Sequence, residues 1–316
     1  MVRMLGEDDC RAAAGGAEVG PCGSQEATQG YRNQIVINMK KTIILSAVAV
    51  VMAVACGQTP EEKVKAFDEA IEVMEKEYFA MRDSLSSDEE AWNAYYPVFI
   101  EEYKKFNLDN ARKNSDNEVA LHALLNLRGL ISDEESAEIL DSFSAEMLEN
   151  ETVQSLKKGL DARLETSEGK MFKDFTVNSV IGHTRSIPAQ PIYAEVKLSD
   201  YVGKGKYILL DFWSPWCGPC RMEMPNIKAV YDKYKGEKFD VVSIAVWEKK
   251  PVEVTIETAA KLDMTWNQIN NAGREPAEIY GVEAIPHIIL FGPDGTILKR
   301  GLHGAEIEAV VSQYVK

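Results

Sequence analysis

Apolar residues recur at spacings of three and four through much of residues 60–168. They run Val64, Phe67, Ile71, Met74, Tyr78, Met81, then Ile139, Leu140, Phe143, Met147, then Val153, Leu156, Leu160, Leu164. That is the period of one buried helix face. Four pairs of Ser or Thr with Glu three residues later have the form of a capping box and mark helix starts: Thr59 with Glu62, Ser87 with Glu90, Ser115 with Glu118 and Ser132 with Glu135. Pro60 takes the favoured first helical position after Thr59. The pattern predicts an all-helical domain of about five helices. Trp92, Tyr95, Tyr96, Phe99, Tyr103 and Phe106 share the helical spacing, which favours core packing over a ligand site. His122, among Leu121, Leu124 and Leu125, fits a core or boundary position.

From residue 171 the period changes to short β-type runs alternating with helical stretches. Tyr207–Phe212, Asp240–Val246 and His287–Phe291 are strand candidates, with weaker ones at Phe172–Thr176 and Thr296–Lys299. Helices are expected after Cys217, over Pro251–Leu262, near Glu275–Tyr280 and from Ala305. This order predicts an α/β sheet with helices on both faces. Charge supports a boundary near Glu168-Gly169-Lys170: residues 61–170 carry 27 acidic and 13 basic side chains, whereas 171–316 carry 18 and 17. The same imbalance also suits a solvated helical surface.

The first sixty residues have neither pattern. Met39-Lys40-Lys41 precedes an apolar run from Ile43 to Ala55, followed by Cys56-Gly57-Gln58. A basic start, a short apolar run and small residues before a cleavage point make a secretory signal. It resembles a bacterial lipoprotein signal with Val54-Ala55-Cys56 as lipobox core, although Ala53 stands where leucine is usual. The resemblance implies a signal over 39–55 and acylation at Cys56, leaving a helical domain over 56–168. Residues 1–38 then read as an upstream non-native or disordered extension, with translation starting at Met39. Cys10 and Cys22 fall outside the mature chain on this reading; the alternative is a second redox pair.

Composition narrows the function. At 45% apolar and 27% charged residues the chain is of the globular class, and no run approaches the roughly 18 apolar residues of a spanning helix. A formal charge of -15 opposes nucleic-acid binding, which needs clustered Lys and Arg.

Setting Cys10, Cys22 and Cys56 aside leaves one pair, in Trp213-Ser214-Pro215-Trp216-Cys217-Gly218-Pro219-Cys220, between a predicted strand and its helix. Only a thiolate attacks a disulfide, and a helix N-terminus offers unpaired N–H groups and partial positive charge to stabilise one. Cys217 is therefore expected as an exposed nucleophile of lowered pKa, and Cys220, one turn on, as the resolving thiol. Half a zinc site is the competing reading, but there is no second C-x-x-C, and His183, His287 and His303 are scattered singly. No metal or cofactor is expected.

The stretch Asp211 to Pro225 resembles the active site of thioredoxin-like proteins, in particular the extracytoplasmic, often membrane-anchored TlpA/ResA group. Tyr280-Gly281-Val282-Glu283-Ala284-Ile285-Pro286 is similar to that family's cis-proline loop, and Gly292-Pro293-Asp294-Gly295 to its late hairpin turn. The resemblance spans about 171–316, not the helical domain, and implies a thioredoxin fold for a domain over 169–316. It makes Asp211 the buried carboxylate that exchanges a proton with Cys220, and Glu223 an acid that tunes or relays protons there, where an ordinary first-turn helix acid is the alternative. Trp216, Gly218, Pro219, Ile285 and a cis Pro286 become the substrate-binding surface, with Trp213 and Trp216 walling the site. His287 replaces a threonine common after that proline, and its imidazole would bias the thiolate.

The expected function is an extracytoplasmic thiol:disulfide oxidoreductase, a reductase by its Gly218-Pro219 dipeptide. The resemblance implies disulfide-containing envelope proteins as partners, cytochrome c maturation components among them, and a membrane electron donor. Two alternatives stand beside it. A thiol peroxidase would share the fold and Ser214-x-x-Cys217, but Leu210 stands where its motif needs proline. A redox-inert binding module would use the pair as a structural disulfide, although so short a loop contributes little chain entropy.

Overall fold

The computed structural model describes residues 59–316; the signal segment, Cys56, Cys10 and Cys22 lie outside them. The chain divides into two compact units between Gln154 and Ser155.

The N-terminal unit is helical: α1 (Pro60–Ser84), α2 (Glu89–Lys113), α3 (Glu118–Asn126), α4 (Asp133–Asp141), the four-residue α5 (Ala145–Leu148) and the start of α6 (Glu151–Glu165). Capping boxes form at Thr59/Glu62 and Ser132/Glu135. The other two expected starts shift by one or two residues. Asp88 accepts the Ala91 N–H and Asn117 the Val119 N–H, so Ser87 and Ser115 do not cap. Asp and Asn are at least as good at this position and sit directly before the helix.

The aromatic group packs as core. Phe67 stacks on Phe106 with centroids 5.7 Å apart, and Tyr78 lies 5.0 Å from Phe99. His122 sits at the edge of this core, its Nδ1 2.9 Å from Asp68 Oδ1. Among the described residues no helix is long and apolar enough to cross a membrane.

In the C-terminal unit five strands stand in the order β5-β4-β3-β6-β7: β3 (Tyr207–Trp213), β4 (Phe239–Ala245), β5 (Asn267–Ile269), β6 (His287–Phe291) and β7 (Ile297–Arg300). β3, β4 and β5 run parallel, while β6 and β7 are antiparallel to their neighbours. Alternation along β3 sends Leu209, Asp211 and Trp213 to one face and Ile208, Leu210 and Phe212 to the other. The first face is covered by α7 (Gly218–Tyr234), by Ala259 of α8 (Val252–Lys261) and by α10 (Ala305–Tyr314). The second is covered by Ala277 of α9 (Glu275–Ile279), by Tyr280 and by the segment leading into the sheet.

Two features depart from the sequence reading. Residues 172–175 are not a strand: Met171 bridges Thr296 and the Phe172 N–H bonds to Gly295 O, anchoring the chain to the late turn. Beyond it, β1 (Thr176–His183) and β2 (Pro191–Lys197) form an antiparallel hairpin that the sequence reading lacks. Ser179 of the hairpin accepts the Asn270 N–H just after β5.

The second half of α6 belongs to this unit. Lys158 pairs with Glu278 and Arg163 with Glu283, both 2.9 Å or closer. Arg300 donates to the carbonyls of Arg163, Thr166 and Tyr280. Gly281 explains how the helix comes so close. Its φ is +59°, and a Cβ there would lie 2.7 Å from Gly159 O. The compact division falls earlier in the chain than Glu168-Gly169-Lys170, and polar groups of residues 158–166 find their partners in α9, in the loop before Pro286 and in Arg300 of β7.

Candidate active site

The site forms where β3 ends and α7 begins. Cys217 and Cys220 are joined in a disulfide with Cα atoms 5.3 Å apart. Cys217 is the N-cap of α7, and the Cys220 N–H donates to its sulfur at 3.1 Å. Pro219, within the first helical turn, has no N–H to leave unsatisfied and presets the helical φ. The helix start therefore directs an amide and the positive end of its dipole at the Cys217 sulfur, which favours a thiolate there once the disulfide opens.

Cys217 is more recessed than the sequence reading held, retaining 4% of its surface against none for Cys220. Trp216 and Ile285 flank it, and its sulfur lies 3.6 Å from Ile285 O. Of the two sulfurs it remains the one an incoming disulfide can reach. The Ile285–Pro286 peptide is cis, and both residues are half-buried beside Cys217, as Gly218 is within α7, while Pro219 is exposed.

The two tryptophans separate. Trp213 is fully buried and shares a core cluster with Cys217 and Cys220, because as the last residue of β3 it alternates inward with Leu209 and Asp211 and so backs the site from within the core. Trp216 is 43% exposed and held by its edge and face: its Nε1 donates to Trp247 O at 2.9 Å, and Lys249 Nζ sits 3.9 Å over its ring. Trp247 takes a φ of +53°, strained for a bulky side chain, and its N–H is tied to Gly273 O.

Asp211 is fully buried on the cysteine face of the sheet. Its Oδ2 accepts from Ser243 Oγ at 2.8 Å, and Ser243 Oγ accepts in turn from Trp266 Nε1 at 2.8 Å. Asp211 Oδ1 has no hydrogen-bond partner among the described residues. Burial pushes the carboxyl up to about 7; the Ser243 bond opposes the rise and the nearby charge of Glu223 adds to it. A group poised there both takes and returns a proton at neutral pH.

Glu223 bears on the site through its charge. Its Oε1 accepts from Gly304 N at 2.9 Å and from Asn226 Nδ2 at 2.7 Å, tying α7 to the start of α10. His287 is on the opposite face, against Phe212, with Nε2 3.3 Å from Arg300 Nη2. Burial and the Arg300 charge push its pKa down to about 3. It is neutral across the working range and turned away from the thiols, so it does not bias Cys217 as expected. Among the described residues no cluster of His, Cys, Asp and Glu could hold a metal ion.

Ser243, Trp266, Trp247 and Lys249 were not singled out from sequence. Ser243 left a legible trace: a lone hydroxyl in the apolar run Val241-Val242-Ser243-Ile244-Ala245, in parallel register with Asp211. Trp247 and Lys249 left none, since their roles arise from a loop conformation.

Residues 169–300 match the model of the AhpC/TSA family. The chain is 28% identical over 123 residues to the thiol-disulfide oxidoreductase ResA of Bacillus thuringiensis, a match covering 39% of this chain and 68% of that protein. It is 27% identical over 121 residues to ResA of Bacillus subtilis, covering 38% and 64%. Among solved structures, the thioredoxin domain of a thiol-disulfide oxidoreductase from Bacteroides vulgatus aligns with a TM-score of 0.40 at 26% identity, over 48% of this chain and 99% of that one. The matched residues contain the strand-to-helix dithiol, the buried carboxylate and the cis-proline loop. The C-terminal domain is accordingly a thioredoxin-like domain that the AhpC/TSA model matches over residues 169–300, and the chain that carries it is a thiol-disulfide oxidoreductase.

Proposed function

We propose that the chain is a disulfide reductase of the bacterial envelope, lipid-anchored at Cys56 on the periplasmic side of a membrane, that reduces disulfide-containing envelope proteins through Cys217 and Cys220. The observation that carries the chemistry is the Cys217 sulfur at the N-cap of α7, held by the Cys220 amide, with Asp211 buried on the same face of the sheet. The run from Met39 to Cys56 supports the location. The Gly218-Pro219 dipeptide supports the reducing direction.

In the reduced protein the Cys217 thiolate attacks one sulfur of the substrate disulfide. That bond breaks, its electron pair leaves on the other substrate sulfur, and a mixed disulfide with Cys217 forms. The Cys220 thiol then gives its proton to Asp211 and attacks the Cys217 sulfur. The substrate sulfur that Cys217 first attacked now leaves as thiolate, the Cys217–Cys220 disulfide closes, and the proton passes to solvent or product. Two electrons move from the dithiol to the substrate, so a membrane-bound thiol donor must restore it. Cytochrome c maturation components are the substrate class to try first.

Replacing Cys220 by Ser blocks the second step and should trap mixed disulfides with envelope proteins, visible as reducible higher-mass species absent from a Cys217→Ser control. No trapped species from an oxidised envelope extract would count against the proposal. Two further assays address the alternatives: peroxide consumption by the dithiol would indicate a peroxidase, and failure of Cys217 to alkylate after mild reduction would indicate a structural disulfide.

A further inference from the structure

Ser243 and Trp266 are buried polar groups that the exchange steps leave without a task. Ser243 is fully buried and Trp266 is 5% exposed. An indole N–H can only donate. Trp266 Nε1 at 2.8 Å therefore occupies an acceptor position on Ser243 Oγ, and the single Ser243 proton is committed to Asp211 Oδ2 at 2.8 Å. The chain runs one way, from indole to hydroxyl to carboxylate. Its far end is fixed by packing, with the Trp266 ring 5.5 Å from that of Tyr231 on α7. Its near end is fixed by register, Ser243 of β4 standing directly beside Asp211 of β3.

A donor to one carboxyl oxygen favours the ionised form and restricts rotation of the group. The other groups on this face of the sheet do not do this: α7 brings Cys217, Cys220 and the like charge of Glu223, β6 pairs Ile288 beside Asp211, and His287 is on the opposite face. We propose that Ser243, oriented by Trp266, is a positioning residue for the exchange reaction, holding Asp211 as an ionised proton acceptor with Oδ2 occupied and Oδ1 left to take the proton of Cys220. This rests on the reading of Asp211 as that acceptor.

The test is the pH profile of mixed-disulfide resolution in the full mature chain. The rate is read by stopped flow from release of an absorbing aromatic thiolate after attack on its symmetrical disulfide. Ser243→Ala should move the acid limb up by about one pH unit, the typical effect of losing one hydrogen bond to a charged group. Resolution at pH 6 should then fall roughly tenfold while the rate at pH 9 stays within about twofold. Ser243→Thr should restore the wild-type limb. Trp266→Phe should shift it in the same direction by less, and carries the test if Ser243→Ala does not fold. A Ser243→Ala profile that superimposes on wild type overturns the proposal, as does an equal loss at every pH. Asp211→Asn separates the two readings: if it removes the acid limb while Ser243→Ala leaves the limb in place, only this inference fails; if it too leaves the limb, the assignment of Asp211 fails with it.

Discussion

Two titratable residues, one facing the dithiol and one on the opposite face of the sheet, oppose each other in stability. Asp211 binds its proton more tightly folded than unfolded, with a pKa of about 7 against an ordinary 3.8. The folded state is therefore favoured at low pH, and that advantage is lost as pH rises from near 4 through about 7. His287 behaves inversely: its folded pKa near 3 lies below the ordinary 6.5, so stability present above 6.5 is lost as pH falls toward 3. Over the shared window the slopes partly cancel. Asp211→Asn should unmask the histidine, so that denaturant unfolding shows stability rising steadily from pH 4 to 7. At pH 8 the variant should exceed wild type by on the order of 4 kcal/mol, the cost of ionising a carboxyl in this site. Equal pH dependence in the two proteins would mean Asp211 is not shifted. The same substitution should slow mixed-disulfide resolution at neutral pH by about a hundredfold or more, the usual contribution of a positioned proton acceptor.

At the scale of elements, local signals were legible where the determinant lies within a few residues. The Thr59 capping box is such a case, and Thr59→Ala should cost the helical unit about 1 kcal/mol by thermal or denaturant unfolding. Ser87 and Ser115 have the capping spacing but do not cap, because Asp88 and Asn117 stand closer to the helices and take the free N–H groups. The strands β3, β4 and β6 and the position of the dithiol at a strand-to-helix turn were readable from alternation and spacing. The hairpin of β1 and β2 was not, because its sequence mixes polar and apolar residues and its placement depends on Ser179 meeting a backbone amide beyond β5. Gly281 shows the same long-range dependence. Gly281→Ala places a methyl 2.7 Å from Gly159 O in a left-handed conformation. It should destabilise the C-terminal unit by roughly 2 kcal/mol and slow exchange, since the loop leads directly to Pro286.

For the whole molecule, the sequence separated a helical part from an α/β part but set the boundary by charge and period, which do not register side-chain partners such as those of Arg163 and Arg300. A fragment of residues 155–316 should therefore unfold at higher denaturant than one of residues 169–316, which strips Arg300 of the Arg163 and Thr166 carbonyls and Glu283 of its cation. Equal midpoints would show that the second half of α6 contributes nothing to the domain.

The central claim is that Cys217 and Cys220 form a reducing dithiol, and its most direct test is the reduction potential of the pair, obtained by equilibrating residues 57–316 in glutathione redox buffers with Cys217→Ser as control. The account predicts a value near that of thioredoxin, about -270 mV. A value near about -120 mV, that of a strong oxidant, would contradict it.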